Sequence, residues 1–212
     1  MQNLMTSTRY RLVELFVLFV LVPVSLVLSI GIRTKIAIGL IGFMYILIVM
    51  AGVERIKIHI KKGIDWKRFW RLTFMKFVGI AVITSLYLLA MQPEDLFNVI
   101  KNDYRVWLLF LAVYAFLSVY PQELIYRTFF FKRYQDLFKN QNLFVFVNAG
   151  LFSLAHLFFQ NTLVMFITFV GGLLFALTFQ RTKSTFLVSI EHALYGGWLY
   201  TVGYGAMLGF PV

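Results

Sequence analysis

Cysteine is missing from all 212 residues, which removes disulfides, thiolate metal ligands and a cysteine nucleophile together. Acidic side chains are scarce as well, nine Asp and Glu against 20 Lys and Arg, for a formal net charge of +11. Charged residues make up only 14% of the chain and hydrophobic ones 60%, whereas soluble domains carry about 25% charged residues. Mean hydropathy is +0.80. A bundle this apolar has an apolar exterior too, which suits a bilayer. No zincin H-E-x-x-H is present. All four aspartates (Asp65, Asp95, Asp103, Asp136) fall in loops or at the ends of apolar runs, against an aspartyl protease that needs two within the membrane. Ser153 lies near His156 without a Gly-x-Ser nucleophile signature, which disfavours a serine mechanism.

What the chain does have is a series of apolar runs. A spanning helix needs about 20 mostly apolar residues, and candidates lie near 12–31, 36–53, 72–91, 105–131, 143–160, 163–180 and 185–202. The expected fold is therefore all-α: a polytopic membrane helix bundle of seven spans, with room for an eighth short or re-entrant segment. The first run is too long for a signal peptide and lacks a small-residue cleavage site, so it reads as a mature helix. With no repeat, low-complexity tract or linker, residues 1–212 read as one integral membrane domain.

Lys and Arg set the expected orientation. Arg55, Lys57, Lys61, Lys62, Lys67 and Arg68 crowd one loop, which belongs in the cytoplasm. Alternation then places the N-terminus inside and the C-terminus outside, as in a multi-pass protein of a bacterial inner membrane. The basic, aromatic stretch from Ile56 to Leu72 reads as an interfacial anchor, with His59 solvated. The positive loops have no soluble basic fold to present them, so anionic lipid headgroups are the expected partner and nucleic acid is not.

Ionisable groups deep in the membrane narrow to a few in the second half: Glu123 with Arg127, His156, and Glu191 with His192. A charge at the bilayer centre costs at least about 2.5–3.5 kcal/mol on insertion scales, so such groups face the bundle interior and usually mark function. At about 1.5 Å rise per residue, Glu123 and His192 each lie roughly 14 Å from the cytoplasmic face and His156 roughly 20 Å from the start of its run. An acid and two imidazoles at similar depth are compatible with one site.

Each of these residues also has a bland reading. Glu123 and Arg127, spaced i,i+4, also read as a self-neutralising pair that lets a helix insert. Pro121, lacking an N–H, opens the helix ladder nearby and offers water access beside Glu123. Phe152 and His156 share a helix face, and a lone membrane histidine often only bonds a neighbouring helix. Gly196, four after His192, makes a notch for backbone or substrate. Glu191 points about 100° away from His192, toward a different partner. Phe129, Phe130 and Phe131 read as lipid-facing and packing groups.

These segments, in this order, resemble the CPBP (Abi) family, which comprises CAAX prenyl endopeptidases and bacteriocin-processing or self-immunity membrane proteins. Its patterns are Glu-Glu-x-x-x-Arg, Phe-x-x-x-His and His-x-x-x-Asn on successive helices. Here they correspond to Gln122-Glu123…Arg127, Phe152…His156 and His192…Gly196, within about residues 104–202. The resemblance implies an intramembrane endopeptidase acting on a peptide or protein, prenylated or not, reached from the membrane or the cytoplasm. Glu123 and His156 would activate water, and His192, helped by a backbone or Tyr195 donor, would stabilise the oxyanion. Arg127 would hold Glu123. The family is often described as metal-dependent, and Glu123, His156 and His192 could ligate zinc; a metal-free glutamate route needs fewer ligands.

Two positions depart from the pattern, Gln122 for the first glutamate and Gly196 for the asparagine. Either Glu123 takes over as base, or the chain is a non-catalytic scaffold or self-immunity protein that keeps the fold. A proton-coupled transporter would use the same Glu and His as a relay but typically shows repeated halves, which this sequence lacks.

Overall fold

Polar residues at the ends of the apolar runs act as helix caps. Among the described residues, 5–56 and 63–209 of this computed structural model, every regular element is helical. Helix α1 covers residues 8–25, an α-helical Thr8–Phe16, a π-helical Val17–Leu21 and a closing turn Val22–Ser25. It is followed by α2 (Ile32–Gly52), α3 (Trp66–Met91) and the short α4 (Asn98–Asn102). Then come α5 (Tyr104–Leu137), α6 (Gln141–Leu154), α7 (Thr162–Thr182) and α8 (Thr185–Leu199), the last continued by the π-turn Tyr200–Tyr204.

Side-chain oxygens at the N-termini accept the first free backbone N–H groups. Asp65 accepts from Arg68 N at 2.9 Å, Asp103 from Arg105 N at 2.8 Å, Asn140 from Asn142 N at 2.8 Å and Ser184 from Leu187 N at 3.4 Å. Two of the aspartates that the sequence puts at run ends are thus caps. Five helical stretches, Ile32–Gly52, Trp66–Met91, Tyr104–Leu137, Gln141–Phe159 and Thr162–Thr182, are long and apolar enough to cross a membrane. The other two expected spans are also helical, at residues 8–25 and 185–204. The molecule is an all-α membrane bundle. Its large apolar side chains are widely exposed, as at Phe116 (75%) and Leu117 (74%). Of the stretch read as an interfacial anchor, residues 57–62, His59 among them, lie outside the described residues.

The chain divides into two compact units. The first holds Met1–His59 and Gln122–Arg181. Its core is aromatic: Phe19 meets Phe130 edge-on at 5.0 Å and Tyr126 at 5.3 Å, and Phe131 meets Phe144 at 4.8 Å and Phe179 at 4.9 Å. Phe129, Phe130 and Phe131 are buried in this packing, so the expectation of lipid-facing rings is corrected. Beside them runs a buried ionic network. Arg133 Nε donates to Glu14 at 2.7 Å, its Nη1 to Glu54 at 2.8 Å and its Nη2 to the Met5 carbonyl at 2.7 Å. The hydroxyls of Tyr134 and Tyr45 close on Glu14 at 2.9 and 2.5 Å. Deep ionisable groups are therefore not confined to the second half of the sequence, as the apolar-run reading expects.

The second unit holds Ile60–Pro121 and Thr182–Val212. Trp198 Nε1 donates to Thr84 Oγ1 at 3.0 Å, joining α8 to α3. Trp107 Nε1 donates to Thr201 Oγ1 at 2.9 Å, and Phe97 N–H to the Val202 carbonyl at 3.1 Å. Gly203 has φ +133°, and a Cβ there would collide with the Asp95 carbonyl. Only glycine fits.

Candidate active site

Glu123 sits where the ladder of α5 changes register. The segments Tyr114–Val119 and Leu124–Phe129 are π-helical, and the α-turn Tyr120–Glu123 between them contains Pro121. The break expected from this proline is present, with a widened turn on either side. Such bulges shift side-chain register and recur at functional sites. They also free backbone carbonyls. Phe130 N–H bonds Ile125 O, five residues back, so the Tyr126 carbonyl is open to side chains. Arg127 Nη1 donates to it at 3.3 Å and Asn148 Nδ2 at 2.9 Å.

Glu123 and Arg127 are fully buried, with Arg127 Nε 3.2 Å from Glu123 Oε2. The guanidinium also donates to Asn148 Oδ1 and, at 3.3 Å, to the Gly172 carbonyl. Its face lies over Phe152, 5.1 Å from the ring centroid, and over Phe175 at 6.0 Å. Gly172 permits this arrangement, because a Cβ there would stand 3.0 Å from Ala149 Cα, where α7 crosses α6 closely. The pair is held by three helices, which is more than the local neutralisation that i,i+4 spacing alone provides.

His156 lies just beyond α6, at φ −98°, ψ 5°, so the helix ends earlier than the run 143–160 suggests. Its own N–H bonds the Ser153 carbonyl at 2.8 Å, which releases the Phe152 carbonyl; His156 Nδ1 lies 2.8 Å from that oxygen. A carbonyl only accepts, so Nδ1 carries the proton and Nε2 of the neutral ring is the basic nitrogen. The imidazole and the Phe152 ring are 4.9 Å apart. Glu123, Arg127, Phe152 and His156 thus form a connected chain inside the first unit. The Ser153 hydroxyl donates to the Met165 carbonyl at 2.7 Å, the bond of a structural serine rather than an activated nucleophile.

His192 lies in the second unit, on α8, 6% exposed, with the Tyr114 ring edge-on at 6.1 Å. The Gly196 notch is real, and the Tyr114 hydroxyl fills it. Glu191 is fully buried and turns to α3, where Lys76 pairs with it. The Tyr195 hydroxyl lies 2.9 Å from Glu191 Oε1 and 3.0 Å from the Thr73 carbonyl, so it is committed there. Tyr195 therefore does not fill the expected role of donor beside His192.

A metal needs several donors around a vacant centre. In the first unit Glu123 already carries a guanidinium against one oxygen and His156 offers one nitrogen, and no group of three His, Asp or Glu that could hold a metal occurs among the described residues. Glu123 and His156 by themselves fall short of the three protein ligands of a catalytic zinc centre.

Residues 104–209 match the family model described as type II CAAX prenyl endopeptidase, Rce1-like. The match begins where α5 begins and runs through α8 and the π-turn after it, half of the chain. The chain belongs to this family. No curated protein and no solved structure matches it. Membership in the Rce1-like family and the five apolar helices make it a multi-pass membrane protein of a CAAX-protease-type endopeptidase family. All three segments singled out in the sequence lie inside the matched region. Asn148, Tyr114 and Lys76 escape that reading. Lys76, a cation inside the 72–91 run, carries a visible signal; Asn148 and Tyr114 belong to no motif.

Proposed function

We propose that this Rce1-like chain hydrolyses a peptide bond through water activated by Glu123 and His156, without a covalent intermediate. The observation that carries this reading is the Nδ1–H bond of His156 to the Phe152 carbonyl, which leaves Nε2 as acceptor. In the first half of the reaction Glu123 and His156 take the proton of the attacking water. In the second, the proton passes to the departing amine. Arg127 orients Glu123 and supplies its counter-charge. His192 takes the family's role at the carbonyl oxygen, where charge develops. Gln122, with no usable base, orients the water.

The family supports a peptide or protein substrate; we take it to end in Cys-aliphatic-aliphatic-X, prenylated or not, reached from the membrane or the cytoplasmic side, with anionic lipids around the basic loops. The test uses the full chain in lipid nanodiscs with a fluorogenic farnesylated peptide of that sequence and its unprenylated twin. Glu123→Gln and His156→Ala should each lower kcat by about 10²–10⁴-fold. Wild-type rates in both variants would refute the assignment. Arg127's many anchors favour one competing reading, a scaffold or self-immunity protein in which Glu123 and Arg127 only pin helices. That reading expects no cleavage by the wild-type chain.

A further inference from the structure

An aromatic ring attracts a guanidinium through its face and is indifferent to which edge points where. Phe152 and Phe175, 5.1 and 6.0 Å from the Arg127 guanidinium carbon, therefore do not decide which nitrogen meets Glu123. Hydrogen-bond acceptors decide it. Nη1 donates to Asn148 Oδ1, Nη2 donates to the Gly172 carbonyl at 3.3 Å, and Nε lies 3.2 Å from Glu123 Oε2. Asn148 is itself held one way round. It is fully buried on α6, and its Nδ2 donates to the Tyr126 carbonyl at 2.9 Å. A carbonyl only accepts, so the amide nitrogen belongs on that side and Oδ1 turns to the guanidinium. The π-helical segment Leu124–Phe129 opens the Tyr126 carbonyl. The register of α5 thus orients the amide, and the amide orients Arg127.

We infer that Asn148 is a positioning residue for the water-activating carboxylate: by anchoring Nη1 it turns the Nε edge of Arg127 toward Glu123. This rests on the Glu123 role stated above and adds a residue outside the three segments singled out in the sequence. Asn148 acts through Arg127 and touches neither water nor substrate. Without its anchor, Nη1 could turn back and join a two-nitrogen fork onto Glu123, the geometry arginine favours with carboxylates. That fork would occupy the oxygens an attacking water has to reach. A polar amide buried in an apolar helix is costly unless both its ends are bonded, and here the two bonds serve this one orientation.

The experiment measures kcat, KM and melting temperature of Asn148→Leu, Asn148→Asp and Glu123→Gln, on the farnesylated fluorogenic peptide with the full chain in nanodiscs. Rates are taken well below the lowest melting temperature. Leucine fills the volume without donor or acceptor; aspartate keeps the acceptor for Nη1 and gives up the donor to the Tyr126 carbonyl. Asn148→Leu should lower kcat by about 10–100-fold, the worth of one hydrogen bond to a charged group, with KM within about twofold. Asn148→Asp should regain most of that loss while its melting temperature stays below that of the wild type. A residue that only pins α6 to α5 would not show this split. An Asn148→Asp protein as slow as Asn148→Leu, or wild-type kcat in Asn148→Leu beside an impaired Glu123→Gln, overturns the Asn148 role and leaves Glu123 standing. Wild-type kcat in Glu123→Gln overturns the Glu123 assignment and Asn148 with it.

Discussion

Arg133 Nε lies 2.7 Å from Glu14 Oε2, 119 residues earlier in the chain, and both side chains are buried. Glu54 and the Met5 carbonyl take the other guanidinium nitrogens. Breaking a buried pair from one side leaves an uncompensated charge, at a cost of about 3–5 kcal/mol. Arg133→Met should therefore lower the melting temperature in nanodiscs most, Glu14→Gln less, and the partly exposed Glu54→Gln least. An Arg133→Met protein as stable as wild type would show that the network does not hold the first unit together.

Arg127→Lys should be far from conservative. One guanidinium serves Glu123, Asn148 and the carbonyls of Tyr126 and Gly172, and a lysine ammonium lacks the planar fork to reach them all. Expected are loss of cleavage by at least about tenfold and a lower melting temperature. Asn148→Ala, which removes one of these partners, should behave as a weaker copy. Measured in a double-mutant cycle, the two changes should be non-additive.

How much of this was legible beforehand depends on chain distance. Glu123 and Arg127 are i,i+4, so their pairing is visible in the sequence, and Pro121 marks the break in α5. Asp65 and Asp103 cap helices as aspartates do at the ends of apolar runs. Glu14 and Lys76 lie inside the runs 12–31 and 72–91, but their partners Arg133 and Glu191 come from far along the chain and leave no periodic trace. Tyr114 escapes for the same reason. Gly196 announces a close approach without naming what approaches. The end of α6 before His156 is hidden as well, because neither Pro nor Gly stands between Leu151 and Gln160.

Lys76 and Glu191 give a third test, in the second unit. Glu191 is fully buried, and Lys76 neutralises it with help from the Tyr195 hydroxyl. Lys76→Met strands the carboxylate and should destabilise by about 3–5 kcal/mol. Adding Glu191→Gln should recover most of the loss, since the remaining amide still bonds Tyr195. If the double variant is no more stable than Lys76→Met, the lysine's stem packing matters more than its charge.

Gly203→Ala probes backbone strain instead of charge. Its φ of +133° lies where side chains are rarely tolerated, and the added methyl would meet the Asp95 carbonyl. A loss of about 1–3 kcal/mol is expected, read as a lower melting temperature. Cleavage measured well below that temperature should be near normal, because no proposed catalytic group touches Gly203. Unchanged stability would mean that the Asp95 loop yields freely.

His156 separates structure from chemistry most cleanly. The Nδ2 of an asparagine side chain falls close to the imidazole Nδ1, so His156→Asn can still donate to the Phe152 carbonyl, now 2.8 Å from Nδ1. What it loses is the basic nitrogen at the Nε2 position. Glutamine reaches the Nε2 position but brings an amide with no useful basicity. If His156 accepts a proton from water, both variants should fall by about 10²–10⁴-fold in kcat, while His156→Asn keeps the wild-type melting temperature. If the histidine only ties off the end of α6, asparagine should preserve activity along with stability. An active His156→Asn protein would therefore refute the water-activating role.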